Sequence, residues 1–149
     1  MSLAIRDYHP APVQDEDFWH RLGIPQRGEP LFNALHKGLP YEVFERLAQW
    51  AHLNRSTLAE HLGIAPATLQ RRLKLRRFNT DESDRLFRLA SVYKAALDLF
   101  EQEAEPTRRW LTSPVSGLGN RSPLEMLVTS AEAQAVLDLI GRLEQGVVA

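Results

Sequence analysis

An all-α fold is the expectation for this 149-residue sequence, and three observations carry it. Apolar residues recur at i, i+3 and i+4 along most of the chain, the spacing of one helical face. Strict apolar–polar alternation never persists and β-branched residues are sparse, so no strand is predicted. Gly and Pro punctuate the periodic stretches, at Gly23, Gly38, Gly63 and Gly146 and at Pro40, Pro66 and Pro106.

The elements follow in order. Residues 1–14, with Pro10 and Pro12, read as a mobile arm. Asp15 to Leu22 can form a short helix with acids at its start, closed by Gly23. Glu29 to Lys37 is a second short helix, with Leu31, Ala34 and Leu35 as its stripe and Gly38 as its left-handed stop. Val43, Phe44, Leu47, Ala48, Trp50 and Ala51 line a helix over about 41–53. Ser56 is the expected cap of a two-turn helix with Leu58, Ala59 and Leu62 apolar, ended by Gly63. Pro66 suits the first position of the next helix, which runs to about Leu75. Thr80-Asp81-Glu82, with a capping hydroxyl and two acids, is the expected start of a long helix over 82–103, apolar on two sides. One side carries Leu86, Leu89, Ala90, Tyr93, Leu97 and Phe100, the other Phe87, Ala95 and Leu99. A helix wetted on neither side lies between layers, so it joins two modules or carries a homodimer interface. A short helix ends at Trp110-Leu111, and 112–121 is an irregular loop. Ser122-Pro123-Leu124-Glu125 opens another helix with a capping box. After Thr129-Ser130, a last helix presents Ala133, Val136, Leu137, Ile140 and Leu143 and stops at Gly146. The implied boundaries are an N-terminal arm at 1–28, a helix-turn-helix module at 29–80, a linking or dimerisation helix at 81–104 and a helical domain at 105–149.

Composition removes several function classes. The chain is 44% apolar and 25% charged, a soluble globular balance. It has no cysteine, which excludes disulfides, thiolate nucleophiles and Cys-based metal sites and fits a cytoplasmic location. No apolar run approaches the ~18 residues of a membrane span, and the first residues have no apolar signal core. His9, His20, His36, His52 and His61 show no i, i+4 pairing, and no nucleophile elbow or phosphate loop is present, so neither an enzyme nor a cofactor is expected.

The net charge of −1 hides a partition. Residues 39–80 hold 7 Lys/Arg against 3 Asp/Glu, whereas 81–104 hold 3 against 6. Five of the seven cations lie within 71–77: Arg71, Arg72, Lys74, Arg76 and Arg77. Just upstream stands the pattern of a helix-turn-helix. Ala59 is small where helices cross, Gly63 allows a positive φ, Ile64 plugs the turn, and Leu58, Leu62, Leu69 and Leu73 are in register. With Leu69 and Leu73 inward, the outer face of the second helix carries Ala67, Gln70, Arg71 and Lys74, with Thr68 near its start. Gln and Arg can read base edges; Arg72, Arg76 and Arg77, on the flank, suit phosphates. Five neutralised phosphates per protomer would give a log–log salt slope on the order of −4 to −5. A two-fold DNA site implies a homodimer. Ala65, at the N-cap position, lacks a side-chain acceptor.

Further along, Glu82-Ser83-Asp84-Arg85-Leu86, Trp110-Leu111, Pro114, Leu118 to Leu127 and Arg142-Leu143-Glu144-Gln145-Gly146-Val147 resemble the Xre/MbcA/ParS-type antitoxins, as does Thr68-Leu69-Gln70-Arg71-Arg72. The resemblance covers about residues 30–149. It implies an Xre/Cro-like N-terminal module that binds operator DNA, followed by a small helical toxin-binding module. It further implies a type II antitoxin whose partner is a RES-domain toxin that consumes NAD, blocked at its active site, with autoregulation of the operon. On that reading the toxin-binding residues are Arg121, Arg142, Glu144 and Gly146 with the apolar tail Val147, Val148 and Ala149, which would enter the toxin cleft. The residues also allow a stand-alone repressor whose C-terminal domain binds a ligand or dimerises, or a helical adaptor that binds no DNA.

Overall fold

A computed structural model describes residues 17–146. The expected arm at 1–14, the start of the first short helix and the tail Val147, Val148 and Ala149 lie outside the described residues.

Among the described residues the fold is helical, with two isolated β-bridges and no strand. Residues 17–22 are helical and are followed by α1 (Gly28–Lys37), α2 (Tyr41–Ala51), α3 (Arg55–His61), α4 (Pro66–Leu75), α5 (Thr80–Leu99) and α6 (Ala104–Thr112). Single 3-10 turns at Ser116–Leu118 and Pro123–Met126 lead to α7 (Ser130–Glu144). The expected helix at 122 is thus one 3-10 turn, although its Ser122–Glu125 capping box is complete.

The organising element is α5. Its buried residues, among them Ser83, Leu86, Leu89, Val92, Ala96 and Leu97, surround the helix. It packs against α1 and α2 and against α6 and α7. Its two-sided apolarity is therefore satisfied within one chain, and no second copy is needed to cover it. The helix stops at Leu99, short of the expected 103, because Glu101 and Gln102 take left-handed φ of 56° and 69°.

Part of the expected arm belongs to the core. Phe18, Trp19, Leu22 and Ile24 are buried; Phe18 meets Trp50 and Tyr93, and Trp19 meets Phe87. A second aromatic group, Tyr41, Phe44 and Phe78, ties the start of α2 to the chain leaving α4.

Two caps fall one or two residues upstream of the expected hydroxyl. Asn54, not Ser56, caps α3, accepting from Thr57 N at 2.8 Å, while the Ser56 hydroxyl donates to Asn54. Asn79, not Thr80, caps α5, and the Thr80 hydroxyl instead donates to His36 O in α1. In each case the cap is the last residue with extended backbone, and an asparagine stood ready there. Asn54→Ala should therefore cost about 1 kcal/mol in urea unfolding, and Ser56→Ala less than ~0.5 kcal/mol.

Candidate nucleic-acid interface

The helix-turn-helix forms as its residue types require. Leu58 and Ala59 are buried on α3 and Leu62 at its C-cap, Gly63 turns the chain at φ 70°, and Ile64 is buried in the turn. Pro66 opens α4 behind Ala65, which provides no side-chain cap. The second helix contributes no fully buried residue; Leu69 and Leu73 are half-buried against the core. It is a helix laid on the surface.

The five-cation cluster separates into two groups. Arg71 and Lys74 are exposed, with no ion pair among the described residues, beside exposed Ala67 and Gln70; Thr68 is half-buried. The other three are engaged by the protein itself. Arg72 forms a fork with Glu82, Nε to Oε1 at 2.7 Å and Nη2 to Oε2 at 3.2 Å, with side chains only 16% and 7% exposed. Arg76 caps α4 in the left-handed region at φ 60°, pairs with Glu42 at 2.8 Å and lies over the Tyr41 ring at 5.1 Å. Its hydrogen bond holds the Glu42 carboxyl below the ordinary carboxylate range, and Glu42 in turn raises Arg76. That pair stabilises the fold at neutral pH, and its contribution is lost as pH falls through the lowered Glu42 pKa. Arg77 Nη1 donates to Gly38 O.

Main-chain bonds complete the same junction. Tyr41 N donates to Arg76 O and Phe78 N to Leu39 O, both at 3.0 Å, and Pro40 and Arg77 form a β-bridge. The exit of α4 is thereby stitched to the α1–α2 connection. The residues that composition alone did not single out are the acceptors Glu42 and Glu82, with Glu45 Oε1 at 3.5 Å from Arg76 Nη2. Only Glu82 left a local trace, the Asn79-x-x-Glu82 capping box.

The C-terminal residues expected to meet a partner fall in two places. Arg121 is exposed on the loop, where Val115 N donates to Arg121 O, and its Nη1 reaches Glu132 Oε2 at 2.8 Å. The Thr129 hydroxyl and then Arg121 hold Glu132 below the ordinary carboxylate range. Arg142, Glu144 and Gly146 are exposed at the other end of α7. With ~1.5 Å of rise per residue, Glu132 and Glu144 lie about 18 Å apart along the axis. The chain places Arg121 at the first turn of α7, away from the C-terminal end of that helix. Trp110 is half-buried and Leu124 fully buried, both packed in the core.

The α3 helix also touches the Pro123–Met126 turn, and Val128, with its side chain beside Gly63, stands at this junction. Arg88 of α5 donates to Val128 O at 2.7 Å and pairs with Asp84. Among the described residues no His/Cys/Asp/Glu grouping could hold a metal, and no helix is long and apolar enough to cross a membrane.

Comparison with known proteins gives two adjoining matches. Residues 31–91 match the antitoxin Xre-like helix-turn-helix domain, and residues 95–146 match the antitoxin Xre/MbcA/ParS C-terminal toxin-binding domain. The join falls inside α5, so one helix serves both parts. Over most of its length the chain is similar to proteins called Antitoxin Xre. That of Yersinia enterocolitica is 36% identical over 146 residues, covering 96% of this chain and 99% of the relative. That of Photorhabdus laumondii is 33% identical over 138 residues, covering 91% and 93%. A Pseudomonas putida Antitoxin Xre is 35% identical over 66 residues, covering 44% and 41%.

Proposed function

Because this chain belongs to the Xre family of antitoxins, we propose that it neutralises a cognate RES-domain, NAD-consuming toxin and represses its own operon as a homodimer on a two-fold operator. It acts by binding, not by catalysis.

The observation that supports the DNA half is the division of the basic cluster. Ala67, Gln70, Arg71 and Lys74 form one exposed face of α4, while Arg72, Arg76 and Arg77 are held by Glu82, Glu42 and Gly38. Gln70 and Arg71 suit base edges and Lys74 a phosphate. Thr68 lies at the flank of this face. The start of α4 has no side-chain cap, which leaves its first N–H groups open to a phosphate, stabilised there by the helix dipole.

Salt dependence distinguishes this division from a five-cation contact. With Arg71 on a base edge and Lys74 on a phosphate, the log–log slope should be about −1 per protomer, or about −2 for a dimer on two half-sites. Five would give about −9 for the dimer. Titrating operator binding against salt decides between them.

The toxin half rests on the match over residues 95–146. Arg121, on its exposed loop, and Arg142, Glu144 and Gly146, at the end of α7, are the described residues we assign to toxin contact, with Val147, Val148 and Ala149 continuing from the latter into the cleft. Co-expression with the toxin encoded beside it should restore both growth and cellular NAD. Growth arrest or NAD depletion in the presence of the full chain would overturn the reading. Full neutralisation by a chain lacking Gly146–Ala149 would overturn the role of the tail.

A further inference from the structure

We propose that Glu82 is a positioning residue for DNA reading: from the first turn of α5 it fixes the rotation of α4 about its own axis. The proposal rests on the DNA-binding function above and adds what aims the reading face.

A helix without a fully buried side chain is weakly held by packing. Leu69 and Leu73 give α4 only a narrow apolar seam, which leaves room for it to roll. At about 100° per residue, Arg72 lies to one side of that seam. Ala67, Gln70, Arg71 and Lys74 then share roughly 100° of arc on the opposite side. Drawing Arg72 inward turns those four residues outward, and releasing it removes that constraint. The Arg72–Glu82 fork does the drawing. Two parallel N–H···O bonds restrict angle as well as distance, which a single contact would not.

Glu82 is itself immobilised. Its Oε1 accepts from Asn79 N at 3.0 Å while its own N donates to Asn79 Oδ1 at 2.8 Å, the two halves of a capping box. The α5 dipole also favours a carboxylate in that turn. The helix beneath is packed on both sides, with Ser83 next to Glu82 buried and its Oγ accepting from Leu39 N at 2.7 Å. A continuous set of contacts thus runs from the core of α5 through Glu82 and Arg72 to Gln70, Arg71 and Lys74. The stitched exit at 76–78 holds the far end of α4, and the fork holds its middle.

The test uses Glu82→Gln in the full-length chain. Glutamine keeps an oxygen for Asn79 N, so the capping box survives, but it lacks the charge and the second acceptor for Arg72. The probes are the promoter DNA directly upstream of the gene and a scrambled duplex of equal length. Glu82→Gln should bind the promoter roughly 10-fold more weakly, bind scrambled DNA like wild type, and neutralise the toxin fully. Arg72→Met, which leaves the capping box untouched, should do the same, and the double variant should lose no more than either single one. Arg72→Met also keeps the test decisive if Glu82→Gln fails to fold. Unchanged or tighter promoter binding by Glu82→Gln would overturn the proposal, because Arg72 would then be freed to serve as a phosphate contact. So would equal losses on promoter and scrambled DNA. If wild type itself does not distinguish the two duplexes, the DNA-reading function fails, and the proposal fails with it.

Discussion

Alanine at both Arg71 and Lys74 is expected to weaken operator binding by at least ~100-fold and to leave toxin neutralisation unchanged. A base contact of the Arg–guanine kind contributes about 1–3 kcal/mol, each tenfold change in affinity being about 1.4 kcal/mol, and a dimer loses every contact twice. Lys74 adds the release of counterions, so the salt slope should also flatten by roughly one per lost phosphate contact. Neither residue packs against the core: both are exposed on a helix that buries no side chain fully. The substitutions therefore remove recognition without removing stability. Gel-shift titration and a co-expression growth assay read the two outcomes separately. Loss of neutralisation together with DNA binding would show that the two activities share a surface.

Gly38→Ala should produce the largest loss of stability among single substitutions outside the core. Gly38 has φ 98°, and an added Cβ would lie 2.1 Å from Phe78 O, a main-chain atom that cannot swing aside. Relief requires separating the α1–α2 connection from the exit of α4. That breaks the Tyr41–Arg76 and Phe78–Leu39 bonds and the Arg77 contact to Gly38 O. Clash, strained φ and lost hydrogen bonds together suggest on the order of 3–4 kcal/mol. For a chain of this size that corresponds to a fall in Tm of roughly 6–15 °C in a thermal melt. Gly119→Ala provides the control: its φ is also positive, at 66°, but nothing lies within 4 Å of the added Cβ. It should cost only about 1 kcal/mol. Equal effects at the two positions would mean that φ alone, and not the stitched exit, governs Gly38. The same junction supports the end of α4, so Gly38→Ala should also weaken operator binding at temperatures where the chain remains folded.

The sequence made the helix-turn-helix legible because its requirements are local. Ala59, Gly63, Ile64 and Pro66 sit within eight positions, and the leucines at 58, 62, 69 and 73 follow from helical periodicity. The stops at Gly23 and Gly38 are local too. The cap assignments at 56 and 80 missed by one or two residues. Asn54-Arg55-Ser56 and Asn79-Thr80 each offer two capping side chains, and only the backbone dihedrals choose between them. The N-terminal residues Phe18, Trp19 and Leu22 read as an arm because so short a helix has little periodicity; their aromatic partners, Trp50, Phe87 and Tyr93, lie more than 30 positions away.

What the sequence by itself determined is the helical class, the order of the two modules and the placement of a basic segment on the second helix of the turn. All of these depend on spacing and residue type within a few turns of chain. Which cations are paired within the protein was decided by tertiary structure alone. Arg76 meets Glu42 across 34 positions, Arg77 reaches Gly38 across 39, and Arg72 meets Glu82 only because the chain turns between α4 and α5. The same is true of α5, whose two apolar sides were legible but whose coverings were not. Charge and periodicity are properties of a segment; pairing and burial depend on what the rest of the chain brings against it.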